Sequence, residues 1–178
     1  NHACTLPNGN FIIAYIASGS FAVIANVYSP FGALLSSINV GTAGIQLASS
    51  INRYAVRVCS LSSNKFVVTY IDSSMSASTG AYSITSTIFN TSYAPITSIV
   101  TSMFNGNQTT LTNYFDCIGI TGDMWVLAYN AISTNYLTYT VYNNNGVIIS
   151  SPSTITSSSP IIPFKIVVPD AEALVVPS

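Results

Sequence analysis

Charge is what this sequence has least of: four Lys or Arg and five Asp or Glu make up 5% of 178 residues, where an ordinary soluble domain carries roughly 25%. The basic residues Arg53, Arg57, Lys65 and Lys165 are too few and too scattered to track a phosphate backbone, which sets nucleic acid aside as a partner. Histidine is nearly absent too. His2 is the only imidazole and no G-x-S-x-G segment occurs, so a serine nucleophile has no base to take its proton. Three cysteines and one histidine at these spacings do not form a zinc-ligand pattern. Of the carboxylates, Asp72 and Asp123 fall in turns, Asp170 and Glu172 fall near the C-terminus, and these with Asp116 read as solvated loop residues, not as an acid and base pair. No enzyme, metal or cofactor is expected. Long apolar runs are also missing. Although mean hydropathy is +0.50, Phe11 to Ile16 is among the longest such runs, far short of the about 20 residues a spanning helix needs. A membrane β-barrel would place its aromatic residues in two girdles, whereas here they recur with an internal repeat.

In place of charge the chain carries Ser, Thr, Asn and 11 tyrosines, at a net charge of −1. Mixed surface charge keeps most soluble monomers apart, so this surface must be covered or solvated by other means. Burial in an assembly of identical copies would do so, and so would a coat of glycan. Two N-x-[ST] sequons, at Asn90 and Asn107, are the glycosylation candidates. The chain opens at Asn1 without a methionine, as a secreted protein does after its signal is removed and as an internal fragment also does. An extracellular or cell-surface location is the expectation.

Self-similarity organises the rest. Leu6 to Tyr15 reads LPNGNFIIAY, Leu61 to Tyr70 reads LSSNKFVVTY, and Ile120 to Tyr129 reads ITGDMWVLAY. The anchors Phe11, Phe66 and Trp125 stand 55 and 59 positions apart. Each block ends on a tyrosine, so Phe11, Tyr15, Phe66, Tyr70, Trp125 and Tyr129 are the expected core anchors. Tyr28 follows Phe11 by 17 positions and Tyr142 follows Trp125 by 17, but Phe89 follows Phe66 by 23, which places an insertion of six within Asp72 to Thr79. Turn chemistry follows each pair at Ser29-Pro30-Phe31-Gly32, Asn90-Thr91-Ser92 and Asn143-Asn144-Asn145-Gly146, and the last predicts a type I′ hairpin turn. Strict alternation, as in Leu137-Thr138-Tyr139-Thr140-Val141, predicts strands.

The repeat blocks resemble modules of large secreted bacterial surface proteins, whose units read roughly L-x-[DN]-G-x-F-V-V-x-[WY]. That resemblance implies units built like β-propeller blades. The acidic turn residues of those modules are mostly missing here, and a calcium role is not carried over. The expected fold is therefore all-β: three four-stranded antiparallel units around a pseudo-threefold axis, as a short propeller or prism-like body, with a β-trefoil as the alternative. The domain spans 1–159, with repeats at about 1–57, 58–116 and 117–159, and 160–178 forms an extended tail.

Cys4 and Cys59 each lie two before the anchor leucine, and Cys117 lies three before Ile120. The two readings are buried thiols near a crowded axis and one disulfide, with Cys4 and Cys59 as the pair. In the tail, prolines bracket the apolar residues Phe164, Ile166, Val168, Leu174 and Val176. They close the third unit's sheet or add a strand to a neighbouring subunit. The leading expectation is a secreted structural subunit that polymerises head to tail into a filament or sheath. The alternatives are a carbohydrate-binding adhesin or lectin-like module, with aromatic rings stacking on sugars, and a virion surface protein.

Overall fold

A computed structural model describes residues 1–43, 56–72, 81–104, 115–130, 136–156 and 166. These form twelve strands: β1 (His2–Thr5), β2 (Phe11–Ile16), β3 (Ala22–Tyr28), β4 (Leu34–Thr42), β5 (Val56–Ser60), β6 (Phe66–Ile71), β7 (Ala81–Phe89), β8 (Pro95–Phe104), β9 (Phe115–Ile120), β10 (Met124–Asn130), β11 (Tyr136–Asn143) and β12 (Ile148–Thr156). They make three antiparallel four-stranded sheets, β1-β2-β3-β4, β5-β6-β7-β8 and β9-β10-β11-β12, each contributed by one repeat. Among the described residues no sheet is closed, and none borrows a strand from another repeat.

The three sheets share their local construction. The third strand of each runs into a turn opened by Ser29, Asn90 or Asn143. The side-chain oxygen of that residue accepts the N–H groups two and four positions on: Phe31 (3.3 Å) and Ala33 (3.1 Å), Ser92 (2.9 Å) and Ala94 (3.0 Å), Asn145 (2.9 Å) and Val147 (2.9 Å). The residue three past the opener is left-handed in every case, with φ 85° at Gly32, 65° at Tyr93 and 82° at Gly146. Neither Asn144 nor Asn145 has a positive φ, so the expected type I′ turn at Asn145-Gly146 is replaced by a turn with a single left-handed residue. The pairing register slips beside each turn, at Val27/Tyr28, Ile88/Phe89 and Val141/Tyr142, as a bulge of this kind requires. The longer spacing in the second repeat falls between β6 and β7; residues 73–79 of the expected insertion lie outside the described residues.

Side-chain parity shows how the sheets pack. Ile12, Ala14, Val23, Ala25 and Val27 of the first sheet meet Val56, Val58, Phe66, Val68 and Tyr70 of the second in one buried cluster. Val67, Ile71, Ile84 and Ile88, from the opposite face of the second sheet, meet Phe115, Trp125, Leu127 and Tyr142 of the third in another. The second sheet therefore lies between the other two. β6 is buried at all six positions, which explains why FVVTYI reads as a continuous apolar run, whereas β3, covered on one face, alternates. We call the face of a sheet that points to the preceding repeat its front, and the other its back.

The aromatic anchors are front-face residues. Phe66 stacks on Phe89 (4.8 Å between centroids) and Trp125 on Tyr142 (4.5 Å), each pair pressed against the preceding sheet. Such stacks contribute about 0.5–1.5 kcal/mol beyond the area they bury. The indole N–H of Trp125 donates to the Asn143 carbonyl (3.1 Å), so its full burial leaves no donor unpaired. Tyr70 is buried and Tyr129 packs on the second cluster. Phe11 and Tyr15 occupy the equivalent positions in the first sheet but are only half-buried, because no described sheet precedes them.

Candidate functional site

Three regions combine unusual residues with defined geometry: the row of innermost strands, the junctions between sheets, and the outermost strands.

β1, β5 and β9 lie side by side and line a groove of about 250 Å³ that includes His2, Cys4, Cys59, Asp116, Cys117 and Ile166. Gly119 permits this approach: a Cβ there would lie 1.9 Å from the Ser60 carbonyl oxygen. The Val58 N–H donates to His2 Nδ1 at 3.2 Å, tying β1 to β5 through a side chain. All three cysteines are free thiols, so of the two readings, buried thiols and a Cys4–Cys59 bridge, the structure holds no bridge. Cys59 packs instead with Cys117 in one buried cluster. Hydrogen bonding to Cys117 and burial raise the Cys59 thiol well above its ordinary range, and burial with the nearby Cys117 pushes Cys4 up to about 12. Thiols held this far from ionisation are poor nucleophiles and poor metal ligands. Among the described residues no group of three or more His, Cys, Asp or Glu side chains is placed to hold a metal ion.

Asp116 is not the solvated loop residue its sequence position suggests. It sits in β9 at 6% exposure, 3.3 Å from Arg57 Nε, and accepts the N–H groups of Cys117 (3.1 Å) and Ile166 (2.9 Å). The Arg57 guanidinium also lies over the Phe115 ring at 5.7 Å. A buried carboxylate needs a partner, and this one has a cation and two amides. The pair crosses from the second sheet to the third and holds the innermost strands together.

At the junctions a single device occurs twice. Gly9, Asn64 and Asp123 are equivalent positions in the first hairpin of each repeat and all are left-handed, with φ 87°, 61° and 57°. Asn64 Oδ1 accepts the Asn8 N–H of the preceding sheet at 2.8 Å, and Asp123 Oδ1 accepts the equivalent Ser63 N–H at 2.8 Å. Asp123 also accepts from Ser62 Oγ (3.0 Å) and Asn144 Nδ2. Partial burial raises its pKa, but the bonds from Asn144, Ser63 and Ser62 outweigh that and hold it below the ordinary carboxylate value. In the first sheet the position is Gly9, which has no side chain to offer a preceding sheet.

The third hairpin of each repeat, between its third and fourth strands, follows the same logic. Tyr93 OH accepts from Asn10 Nδ2 of the first sheet (3.1 Å), while Lys65 Nζ donates to Asn145 Oδ1 (3.2 Å) at the next junction. A Cβ on Gly146 would meet Ile99, Thr97 and Ile88 of the second sheet within 3.3 Å, but one on Gly32 would meet nothing within 4 Å. Among the described residues, the turn positions Gly9 and Gly32 of the first sheet thus lack the preceding-sheet contacts that their equivalents make in the second and third.

The outermost strands β4, β8 and β12 contain no charged residue. Leu34 and Leu35 on β4, Ile96 and Val100 on β8, and Ile148, Ile149 and Ile155 on β12 are all exposed, and Phe31 beside β4 is 98% exposed. Edge strands of soluble monomers are usually blunted by charge, proline or bulges. Among the described residues, Pro95, Pro152 and the register shifts serve that purpose.

Of the remaining sequence-level candidates, Asn90 opens the β7–β8 turn, where its carboxamide oxygen is engaged as Ser29 and Asn143 are in turns without a sequon. Asn107, Phe164, Val168, Leu174 and Val176 lie outside the described residues. Ile166 is half-buried against Asp116. No helix among the described residues is long and apolar enough to cross a membrane. The apolar outer strands and the Asn/Asp junction device escaped sequence reading. Their signals were, respectively, uncharged strands at the end of each repeat and a polar residue in the place of the first repeat's turn glycine. No protein-family model matches the sequence, and comparison with curated proteins finds no relative.

Proposed function

We infer that this chain is a structural subunit of an extracellular or cell-surface assembly, that it associates with copies of itself, and that it performs no chemistry. The observation that carries this reading is the set of three outermost strands without a charge and with seven exposed Leu, Ile or Val side chains. An apolar surface of that kind in a molecule of net charge −1 favours association over solitary solution. The raised thiols and the fully engaged Asp116 support a scaffold role over a catalytic one. The blade-like reading of the repeats, set in a row with aromatic fronts, accords with such a module. Glycan on Asn90 or Asn107 would add solubility to the faces left uncovered.

Sugar recognition is the weaker reading, because the aromatic rings best suited to stack on a saccharide are spent inside. Trp125, Phe66 and Phe89 are buried. Electron microscopy and sedimentation of the native material test the proposal: polymers or defined oligomers support it, and dispersed monomers at all concentrations refute it. Removing residues 160–178 tests the tail as the linking strand, and abolished assembly with a retained fold is the supporting result.

A further inference from the structure

The two ends of the row of sheets are unlike, and each matches the partner that the other kind of face finds inside the molecule. The front of the first sheet presents Phe11, Ile13, Tyr15, Ile24 and Tyr28, with Phe11 and Tyr28 stacked at 5.1 Å as the buried pairs are in the other two sheets. The back of the third sheet presents Ile118, Met124, Val126, Leu137 and Val141. These ten side chains are uncharged. Those with a described environment are half-buried, and none belongs to either core cluster. Front-on-back is the way both internal junctions are made, the aromatic front of one sheet seated on the aliphatic back of the one before it.

Stacked-repeat proteins end their rows with polar capping faces, whereas here apolar side chains share both end faces with a few polar ones, Asn26, Ser37 and Asn39 at the front and Ser150, Ser153 and the ion-paired Asp116 at the back. The geometry points to a second copy of this chain as the occupant: the front of one molecule's first sheet docks on the back of another's third sheet, continuing the internal packing across the molecular boundary. This rests on the self-association proposed above and names the surfaces through which it runs. The contact is heterologous, so each copy keeps one unused face of each kind, and the copies either close into a ring or extend as a fibre. Two copies would bring six sheets together, within the four to eight blades that closed propellers use. Gly9 lacks the side chain that ties the internal junctions, so the junction between copies rests on apolar contact and is weaker than those within the chain.

The test uses two variants of the full chain, Ile24→Lys on the front face and Val126→Lys on the back face, with folding checked by thermal unfolding. Ile13→Lys and Val141→Lys replace them at the same faces if either fails to fold. Sedimentation velocity on each variant alone should show self-association weakened roughly a hundredfold. An equimolar mixture retains one intact front and one intact back, and should form one-to-one dimers that grow no further. If the wild-type chain stays monomeric, the self-association reading itself falls. If the wild type associates and both variants do so undiminished, or the mixture does not pair, that reading stands and the front-to-back junction is overturned, leaving the outer strands or residues 160–178 as the route.

Discussion

Cys59 and Cys117 meet across the junction of the second and third sheets, one from the back of β5 and the other from the front of β9. The one-position difference in their spacing from the repeat anchors is the reason. Side chains alternate along a strand, so shifting a cysteine by one residue turns it to the opposite face. Cys4 and Cys59 both point backward, and only Cys117 points forward to meet a partner.

The thiols should behave as inert core groups. In the native protein at pH 8, iodoacetamide should label Cys59 and Cys117 far more slowly than in the denatured chain, as read by intact mass. Cys4 is raised from an ordinary 9.0 to about 12, so its neutral form is favoured by folding. That contribution is complete below about pH 9 and is lost as pH rises toward 12. Thermal midpoints measured across that range should fall less steeply for Cys4→Ala than for wild type.

Asp123 gives the opposite dependence. Its lowered pKa means that the folded state favours the carboxylate, so the contribution is present above the ordinary carboxylate range and disappears as pH falls through the lowered folded value. Asp123→Asn should keep the bond from the Ser63 N–H, as Asn64 does for Asn8, while losing the charge. The expected cost at neutral pH is below about 1 kcal/mol for so exposed a site. Acid unfolding curves of variant and wild type should converge as pH falls through the lowered folded value, and parallel curves throughout would contradict the assignment.

Gly119→Ala tests the close approach of β9 to β5. The added methyl would overlap the Ser60 carbonyl, a backbone atom that cannot swing aside. A loss of about 1–3 kcal/mol follows. It should appear in denaturant midpoints, whereas Gly19→Ala, in open space but at φ 84°, registers only the backbone strain.

Thr69 and Ser86 form a hydroxyl pair at 2.9 Å inside the second sheet, both essentially without solvent contact. Thr69→Val leaves the Ser86 hydroxyl unpaired at a cost of about 1–3 kcal/mol. Adding Ser86→Ala removes the orphan, so the double variant should be more stable than the sum of the two single losses predicts. Strict additivity in chemical denaturation would show that the pair does not act as a unit.

The sequence carried the repeat, the strand types and the aromatic anchors, because each rests on a local pattern. It did not carry which sheet an anchor would meet. Phe11 and Tyr15 have the same spacing as Phe66 and Tyr70, yet they differ in burial because a neighbour on one side is a property of the row and not of the unit. Asp116 was misread for a related reason: its partner Arg57 is in another repeat, 59 positions away, and only the approach of β5 to β9 brings the two together. The left-handed Tyr93 stands where the other repeats have glycine, and its hydroxyl contact with Asn10 accounts for keeping a side chain there.

Because the second sheet lends one face to each neighbour, neither outer repeat can be cut away without laying bare one of the two cores. A truncation that stops after the second repeat would uncover Val67, Ile71, Ile84 and Ile88 together. Each outer repeat therefore depends on the second for its core, and the stability of neighbouring repeats is coupled through the junction they share.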